Sequence, residues 1–409
     1  MMDIYPYDES RDLKHLQRIW YEVGWVENES QAACMKDFLS VGSCLTARMA
    51  GEAECSVQTV PGTVHHLEQT LSLCAVTAVT TSRIARKQGF AQKLTALQLA
   101  SSASEGVEVA ALGMFDQGFY DKLGFGTGAY EHQFTFDPAS LIVDVPFAVP
   151  TRLNAEHWRQ MHASMVQRLP NHGSVTLTPP EMVKAEIGFT ENGHGLGYFD
   201  GDELTHFIWF DVRGEHGPYV INQIAYRTTA QLLELLSLLK ALADQVSSVK
   251  MMQPPHVQMQ ILLRQPFRHR RITRLSDHSN EHRAVAWWQI RLLNMTCVSR
   301  YSWPGPPLKF NLQLTDPVAD LLQDQAADSW LGIGGEYVVE FSQTSKVSEG
   351  REQPLPTLRC SVNAFSRLFF GVASASVLEV SDEFSAPAEL LTSLDRVFCL
   401  PQPSFGWDF

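Results

Sequence analysis

The sequence lacks the features that are typical of a membrane-inserted or disulfide-linked protein. Among its 409 residues, no uninterrupted apolar run approaches the roughly 18 residues that a membrane helix needs. The opening stretch, MMDIYPYDESRDLK, is charged and has no apolar core like that of a signal peptide. The seven cysteines are odd in number and include no C-x-x-C pair, which predicts reduced thiols and neither a disulfide frame nor a zinc site. We therefore expect a cytoplasmic protein that does not contact a membrane.

Positive charge is also scarce. The chain has 32 Lys and Arg against 45 Asp and Glu, a formal net charge of -13 at pH 7, which does not favour nucleic-acid binding. A cationic substrate suits this charge, although many cytoplasmic proteins are equally acidic. One basic run, residues 264–274, is interpreted as a salt-bridged or interface surface. His278 and His282 have i, i+4 spacing, but the strongly polar SDHSNEHR around them favours a linker, and we predict no metal site.

The length and the hydrophobic content of 44% allow more than one core. Apolar residues at helical spacing predict a first helix over residues 10–23, with Ser10 as a possible cap. Strands are predicted at residues 45–50, 54–60, 71–80, 107–112 and 131–136, with a helix after the third of them. This mixture predicts an α+β fold.

Residues 76–100, VTAVTTSRIARKQGFAQKLTALQLA, run from an apolar strand through a short polar loop into an amphipathic helix. The loop reads R-x-x-G-x-A, with Arg86, Gly89 and Ala91 at the named positions. Glycine allows the backbone to come close to a ligand, and the helix that follows supplies unpaired N–H groups and the positive end of its dipole. Such a turn suits a pyrophosphate. Taken alone, the pattern fits an ordinary surface turn equally well.

The order of elements after this loop carries a resemblance. A strand follows the helix, and then comes F-Y-x-x-x-G-F at residues 119–125. In this order the pieces resemble the GNAT superfamily of N-acetyltransferases. The resemblance implies that acetyl-CoA lies against the loop, that the end of the strand pairs with the pantetheine arm, and that the loop holds the pyrophosphate. The residues implied are Val79, Thr80 and Thr81 at the strand end and Arg86, Lys87, Gln88, Gly89, Phe90 and Ala91 in the loop.

Tyr120 stands where members of that family place a tyrosine that protonates the departing CoA thiolate. A phenol with a pKa of about 10 is protonated at pH 7 and can donate as charge develops on sulfur. The alternative is an aromatic side chain that packs the short helix onto the sheet. Family members often carry proline three residues before the loop arginine, where this chain has Arg83, so the local turn can differ.

The rest of the chain extends the resemblance. Residues 146–285 repeat the strand-then-helix plan, but the counterpart of the phosphate loop, residues 226–231, contains no glycine. Residues 286–409 alternate apolar and polar positions at 308–315 and then form a helix at 363–370. The whole resembles the Eis (enhanced intracellular survival) family: a catalytic GNAT domain at 1–145, a degenerate GNAT-like domain at 146–285, and a sterol-carrier-protein-like domain at 286–409. The resemblance implies a homo-oligomer, a hexamer in many members.

The sequence ends in Ser404-Phe-Gly-Trp-Asp-Phe409. The resemblance implies that this segment returns to the active site, where the Phe409 carboxylate helps to deprotonate or bind the amine and Asp408 is an acidic contact. Three aromatic residues are costly to leave in water, which favours burial of the segment. The acidic stretch at residues 25–30 is interpreted as a solvated loop, with the alternative that Glu27 and Glu29 rim an amine pocket.

These observations lead to one hypothesis with two alternatives. We expect an acetyl-CoA-dependent N-acetyltransferase that acts on a primary amine of a cationic substrate, which is aminoglycoside-like, polyamine-like or a lysine side chain. The alternatives are a lipid or small-hydrophobe binding protein and a CoA-sensing protein, both with vestigial acetyl transfer. The R-x-x-G-x-A loop argues against the first alternative, and Tyr120 argues against both.

Overall fold

The computed structural model describes residues 3–265, 279–326 and 329–409. Most of the predicted basic surface (residues 266–274) and His278 lie outside the described residues. The strands in chain order are β1 (Asp3–Pro6), β2 (Ser43–Met49), β3 (Glu52–His66), β4 (Gln69–Thr81), β5 (Val109–Gly113), β6 (Gly126–Thr127), β7 (Glu131–Phe136), β8 (Thr151–Leu153), β9 (Val175–Leu177), β10 (Gly193–Asp200), β11 (Glu203–Val212), β12 (Tyr219–Ala225), β13 (Val249–Met252), β14 (Glu281–Val285), β15 (Trp288–Leu292), β16 (Leu308–Thr315), β17 (Gly335–Phe341), β18 (Lys346–Glu349), β19 (Thr357–Ser361) and β20 (Phe384–Ser385).

Helices cover or join these strands. In chain order they are α1 (Glu9–Val23), α2 (Glu29–Ser40), α3 (Phe90–Ser104), α4 (Gln117–Asp121), α5 (Trp158–Val166), α6 (Glu181–Phe189), α7 (Thr229–Ala241), α8 (Val362–Phe369), α9 (Ala375–Ser381) and α10 (Ala388–Val397). Short 3₁₀ helices lie at Pro138–Ser140, Ala155–His157, Met259–Leu262, Met295–Arg300 and Pro317–Leu321. No helix in the described part of the chain is long and apolar enough to span a membrane.

The first sheet has the order β1-β2-β3-β4-β5-β15-β6, and β9 adds to β3. Strands β4 and β5 are parallel and are joined by α3. Their ladder runs from Leu73 beside Val109 to Val76 beside Leu112 and ends there, although β4 continues to Thr81. A register shift against β3 and a positive φ of 50° at Ala78 mark a bulge in β4 just past this point. At their carboxyl ends, β4 and β5 are therefore no longer paired with each other.

The second sheet repeats this plan. Its order is β14-β7-β13-β12-β11-β10-β8, and its one parallel pair, β12 and β13, is joined by α7. Strand β15, which follows β14 in the chain, lies between β5 and β6 of the first sheet. Strand β7, which follows β6 in the chain, lies between β13 and β14 of the second. Strand β7, from the predicted domain at 1–145, thus belongs to the second sheet, and β15, from the predicted domain at 286–409, belongs to the first. The division into domains at 145 and 285 stays a prediction.

The third sheet, β18-β17-β16-β19-β20, lies in the last hundred residues and packs onto the first sheet through α8. The backbone N–H of Leu292 on β15 donates to Ser366 Oγ on α8 at 3.0 Å. Asn363 Nδ2 donates to the carbonyl oxygens of Asp121 at 2.9 Å and Phe125 at 2.8 Å. These hydrogen bonds hold α8 against the end of α4 and the residues that follow it.

Several predicted elements are confirmed, and three details are corrected. Strands β7 and β16 have the predicted bounds, and Thr228 caps α7. The cap of α1 is not Ser10 but Asp8, whose carboxylate accepts from the Arg11 N–H at 3.1 Å. The acidic stretch at 25–30 was predicted as loop, yet its end begins α2, which is capped by Asn28 and buries Met35 and Phe38.

The polar SDHSNEHR segment was predicted as a linker, but its second half belongs to β14. The strand pairs with β7, and His282 on it stands opposite Phe134. Every residue of β14 is exposed. An edge strand forms backbone hydrogen bonds with one neighbouring strand and does not need to bury its side chains. Its polar composition therefore gave no strand signal.

Candidate active site

The loop after β4 leaves the start of α3 open. Lys87 and Gly89 have positive φ values of 62° and 79°, which turn the chain sharply before the helix. Gly89 is the N-cap residue, and no side chain caps the helix. The first helical bond is the Lys93 N–H donating to the Gly89 carbonyl at 3.0 Å. The N–H groups of residues 90–92 therefore have no partner within the helix.

A cavity of about 790 Å³ lies against this loop and the carboxyl end of β4. Eight of the nine residues predicted to bind the cofactor line it, whereas Gln88 is exposed outside it. The eight are Val79, Thr80, Thr81, Arg86, Lys87, Gly89, Phe90 and Ala91. Because the ladder to β5 has ended at Val76, one backbone edge of β4 from Val79 to Thr81 is open to this cavity.

Tyr120 also lines this cavity. Its helix, α4, is capped by Asp116, whose carboxylate accepts from the Phe119 N–H at 3.2 Å. The Tyr120 ring is 5% exposed and lies edge-on to Phe119 at 4.8 Å. Its hydroxyl has no hydrogen-bond partner among the described residues. Burial raises the pKa of Tyr120 well above its usual range, and the charge of Asp116 adds to this, so the phenol is protonated at neutral pH.

A second cavity, of about 710 Å³, adjoins the first across the β4 bulge. Thr77 and Ala78 line this cavity, whereas Val79 and Thr80 line the first. Trp25 lines both. We name the 790 Å³ cavity the loop cavity and the 710 Å³ cavity the tail cavity. The loop cavity and the tail cavity therefore meet where β4 and β5 no longer pair with each other.

Several aromatic side chains line the tail cavity. Trp20 packs edge-on against Trp25 at 5.1 Å and against Phe38 at 5.6 Å, and Phe189 lies 5.9 Å from Phe38. All four line the cavity, together with Trp209, Trp287 and Trp407. Glu27 and Glu29 are exposed and are not among the residues that line either cavity. Their predicted contact with an amine stays a prediction.

The last residues of the sequence enter the tail cavity, which confirms their predicted burial. Phe405 is fully buried and stacks on Trp288 at 4.0 Å, and Trp407 is 3% exposed. The Val175 N–H donates to the Phe405 carbonyl at 3.0 Å, which adds the segment beside β9. Asp408 and Phe409 line the cavity. A Cβ built on Gly113, at the end of β5, would lie 3.2 Å from the main-chain carboxyl oxygen of Phe409.

Glu131 accepts hydrogen bonds from this segment and is not among the predicted site residues. Its Oε1 accepts from the Phe405 N–H at 2.8 Å, from Ser404 Oγ at 2.9 Å and from Trp288 Nε1 at 3.2 Å. Its Oε2 accepts from Trp287 Nε1 at 2.9 Å. The adjacent tryptophans are the one sequence signal for this site, since a buried indole N–H needs an acceptor.

Glu186 on α6 was also missed. It lines the tail cavity, and its Oε1 accepts from Trp407 Nε1 at 3.0 Å. Burial, together with the nearby charge of Asp408, raises the pKa of Glu186 to about 8. The side chain of Asp408 is exposed to the cavity, but the surrounding protein limits its solvation. This desolvation and the charge of Glu131 raise the pKa of Asp408 above its usual range.

The corresponding turn in the second sheet is closed. Thr228 Oγ1 accepts from the Gln231 N–H at 3.2 Å, and Gln231 Oε1 accepts from the Arg227 N–H at 2.7 Å. The start of α7 is thus capped by its own side chains, unlike the start of α3. Among residues 3–265, 279–326 and 329–409, no group of three or more His, Cys, Asp or Glu side chains could hold a metal ion.

Comparison with known proteins identifies the part of the chain that builds the loop cavity. Residues 9–128 match the family model for an acetyltransferase (GNAT) domain. This part of the chain is a GNAT acetyltransferase domain. The chain is accordingly an N-acetyltransferase, and the GNAT family that residues 9–128 match uses acetyl-CoA. No curated protein matches the sequence.

Solved structures share the fold over the whole chain. A probable N-acyltransferase from Enterococcus faecalis superimposes with a TM-score of 0.79 at 13% identity, and a GCN5-related N-acetyltransferase from Anabaena variabilis does so with 0.79 at 14%. Eis1 from Mycobacterium abscessus gives a TM-score of 0.74 at 15% identity. In each case 100% of both chains is covered. At these identities the likeness concerns the fold.

Proposed function

We propose that this acetyltransferase transfers the acetyl group of acetyl-CoA to a primary amine of a cationic molecule. The observation that carries the proposal is the meeting of two cavities at the unpaired ends of β4 and β5. One has an open helix start, and the other holds an acidic and aromatic chain end. A thioester laid along β4 from Val79 to Thr81 would place its carbonyl at this junction.

The loop cavity offers the groups that a pyrophosphate needs. The unpaired N–H groups of Phe90, Ala91 and the residue after them lie at the positive end of the α3 dipole. Arg86 and Lys87 add positive charge, and both line the cavity. The open edge of β4 would pair with the amide groups of the pantetheine arm. These contacts fix the cofactor by backbone groups, which explains why the loop needs glycine and not a particular side chain.

The transfer itself forms one bond and breaks one. The amine nitrogen attacks the thioester carbonyl carbon, the C–N bond forms, and the C–S bond breaks. The Phe409 carboxylate, directly or through water, takes one proton of the ammonium before the attack, and the Tyr120 hydroxyl gives a proton to the leaving sulfur. The proton that the nitrogen loses as it becomes an amide returns to the Tyr120 oxygen through solvent. Tyr120 suits the second role because its hydroxyl is protonated, lies in the loop cavity and makes no other hydrogen bond within the described residues.

The tail cavity favours a cationic acceptor. Asp408 and the terminal carboxylate of Phe409 line it together with several indole rings, and aromatic faces and carboxylates both attract an ammonium group. Aminoglycoside-like and polyamine-like molecules and lysine side chains share this group. If Glu27 and Glu29 contribute, they do so from the exposed surface beside Trp25.

We further propose the division into a catalytic domain at 1–145, a degenerate GNAT-like domain at 146–285 and a sterol-carrier-protein-like domain at 286–409. The repeated strand order of the second sheet and its capped α7 support the second assignment. The five-stranded third sheet with its three helices supports the last. A cytoplasmic homo-oligomer, a hexamer by resemblance, completes the proposal and is open to measurement by sedimentation.

The alternative of a lipid-binding protein finds little support in the third sheet. Its interior is filled by phenylalanine rings: Phe341 lies 6.0 Å from Phe310 and 5.0 Å from Phe398, and Phe369 lies 5.4 Å from Phe370. Rings at these separations pack as an ordinary core. The packing favours a structural role for this part of the chain.

Calorimetric titration with acetyl-CoA, followed by an assay of CoA release with a panel of amines, tests the proposal. We expect one cofactor site per chain, because the second turn is capped, and turnover with di- and polyamines or amino sugars in preference to neutral amines. Absence of acetyl-CoA binding would contradict the proposal. Binding without turnover on any amine would favour the CoA-sensing alternative.

A further inference from the structure

The last six residues, from Ser404 to Phe409, are held by two carboxylates on either side of a glycine. Glu131 holds Phe405 and Ser404 before Gly406, and Glu186 holds Trp407 after it. Gly406 is exposed and has a φ of 61°, which is the left-handed region that favours glycine. The chain therefore turns at this residue, and Glu131 alone does not fix the direction of residues 407–409.

Trp407 has one polar atom, and Glu186 is its partner. The indole Nε1 donates to Glu186 Oε1 at 3.0 Å, while the ring lies under the Arg168 guanidinium at 5.6 Å and edge-on to His162 at 6.0 Å. The side chain is 3% exposed, so loss of the acceptor would leave a buried N–H unpaired. The position of Glu186 thus decides the rotamer of Trp407.

Glu186 is itself fixed from the other side. Its Oε2 accepts from Gln223 Nε2 on β12 at 2.8 Å, and α6 packs against α2 and α5. Among the residues described here, no Lys or Arg forms a salt bridge with it. Hydrogen bonds, and not an ion pair, hold this carboxylate in the wall of the tail cavity.

We propose that Glu186 is a positioning residue for the Phe409 carboxylate and acts through Trp407. The inference rests on the proposed function, because it assigns the carboxylate a place in the transfer. Phe409 follows Trp407 by two residues, and its carboxyl oxygen lies against Gly113 at the end of β5. A turn of Trp407 would move this oxygen away from the junction of the two cavities. The part of the chain outside the GNAT domain at 9–128 thereby contributes to catalysis.

The contact can persist in both protonation states of Glu186. Gln223 Oε1 is buried and has no partner, and the two ends of an amide are interchangeable in such a site. When Glu186 is ionised, Gln223 donates to it; when Glu186 is protonated, the reversed amide accepts from it. A glutamine at position 186 can make the same pair of bonds, which provides a conservative variant.

A double-mutant cycle tests the inference by activity. We expect Glu186→Ala and Trp407→Phe each to lower kcat by about 10- to 100-fold, the effect of a misplacement of about 1 Å, with acetyl-CoA affinity changed less than twofold. The double variant should be no worse than either single variant, and Glu186→Gln should retain kcat. Glu181→Ala, on the same helix but outside both cavities, is the control. Additive losses, or an unchanged kcat in Glu186→Ala, would overturn the inference.

Release of Phe409 by carboxypeptidase, followed by mass spectrometry, tests the positioning without any assay of acetyl transfer. We expect Glu186→Ala to release the residue at least about tenfold faster than the wild type, and Glu186→Gln and Glu181→Ala to release it at the wild-type rate. Equal rates in wild type and Glu186→Ala would overturn the inference. A wild-type protein that binds no acetyl-CoA would overturn the proposed function, and the release rates would still decide the role of Glu186.

Discussion

The last residue of the sequence, Phe409, lies against Gly113 at the end of the central strand β5. A Cβ added to Gly113 would stand 3.2 Å from the main-chain carboxyl oxygen of Phe409, a tighter contact than packed side chains usually make. The same Cβ would lie 3.7 Å from Asp408 Oδ1 and 3.8 Å from the Trp287 ring. The absence of a side chain at position 113 therefore permits the chain end to reach the junction of the two cavities.

Gly113→Val should displace the chain end. The added methyl groups cannot fit beside Phe409, whereas Gly113 is not among the residues that line the loop cavity, so we expect kcat to fall by about 10- to 100-fold with an unchanged dissociation constant for acetyl-CoA. Steady-state kinetics and calorimetry measure the two quantities. Gly335→Val on β17, where an added Cβ would meet no atom nearer than 3.5 Å, is the matched control. Equal kcat values for the two variants would contradict the expectation.

Tyr120→Phe should separate turnover from binding. The Tyr120 ring packs against Phe119 and Phe125 at 4.8 and 6.2 Å, so removal of the ring would damage the fold. The hydroxyl, in contrast, makes no hydrogen bond to any described residue. We expect the phenylalanine variant to keep its melting temperature and acetyl-CoA affinity and to lose about 100-fold or more in kcat, the contribution of a general acid. Unchanged turnover would remove Tyr120 from its proposed role. Thermal unfolding, calorimetry and CoA release supply the three measurements.

Gly89→Ala should weaken cofactor binding through the backbone. Gly89 has a φ of 79° and no atom within 4 Å of an added Cβ, so the substitution adds strain of about 1 kcal/mol without a clash. If the loop relaxes, the N–H groups at the start of α3 move, and we expect acetyl-CoA affinity to fall about five- to tenfold. Gly51→Ala, in the turn after β2, has a φ of 88° and equally free space. We expect Gly51→Ala to lower the free energy of unfolding, measured by urea denaturation, by a similar amount and to leave acetyl-CoA affinity unchanged. A loss of acetyl-CoA affinity in both variants would contradict an effect of Gly89 on the start of α3.

Stability should fall on mild acidification because of a buried histidine. His66 is 2% exposed, stacks on Phe369 at 4.3 Å and donates from Nε2 to the Phe369 carbonyl at 2.9 Å. Burial lowers the pKa of His66 to about 3, and His172 contributes in the same direction. Between pH 6.5 and 3 the unfolded chain therefore binds more protons at this residue than the native protein, so the free energy of unfolding decreases as pH falls through this window.

We expect His66 to account for a loss of about 2 kcal/mol between pH 7 and pH 5. His66→Gln, which can still donate to Phe369 but does not titrate, should show a correspondingly smaller loss in urea unfolding at the two pH values. The exposed His194 on β10 provides the control, and His194→Gln should follow the wild type. Identical pH dependence in His66→Gln and wild type would contradict this account.

Local patterns were enough to predict residues that line the loop cavity together. The strand before Arg86, the glycine at 89 and the helix after it are close in sequence, and eight of the nine predicted cofactor residues line the loop cavity. The apolar character of the chain end likewise predicted its burial, which Phe405 and Trp407 confirm. Helix α2 was missed because its apolar residues follow an acidic stretch, and β14 was missed because an exposed edge strand has no apolar alternation.

The sequence by itself determined the loop between β4 and α3, because a turn, a glycine and the start of a helix depend on neighbours within a dozen residues. Tertiary structure decided the acceptor half. Glu131 and Glu186 look like ordinary surface acids in the sequence, and they acquire their roles only when residues more than 200 positions away donate to them. The exchange of β7 and β15 between sheets is equally non-local, since strand pairing depends on backbone hydrogen bonds that any strand can make. Burial and long-range pairing, which local patterns do not encode, therefore placed the chain end beside Gly113.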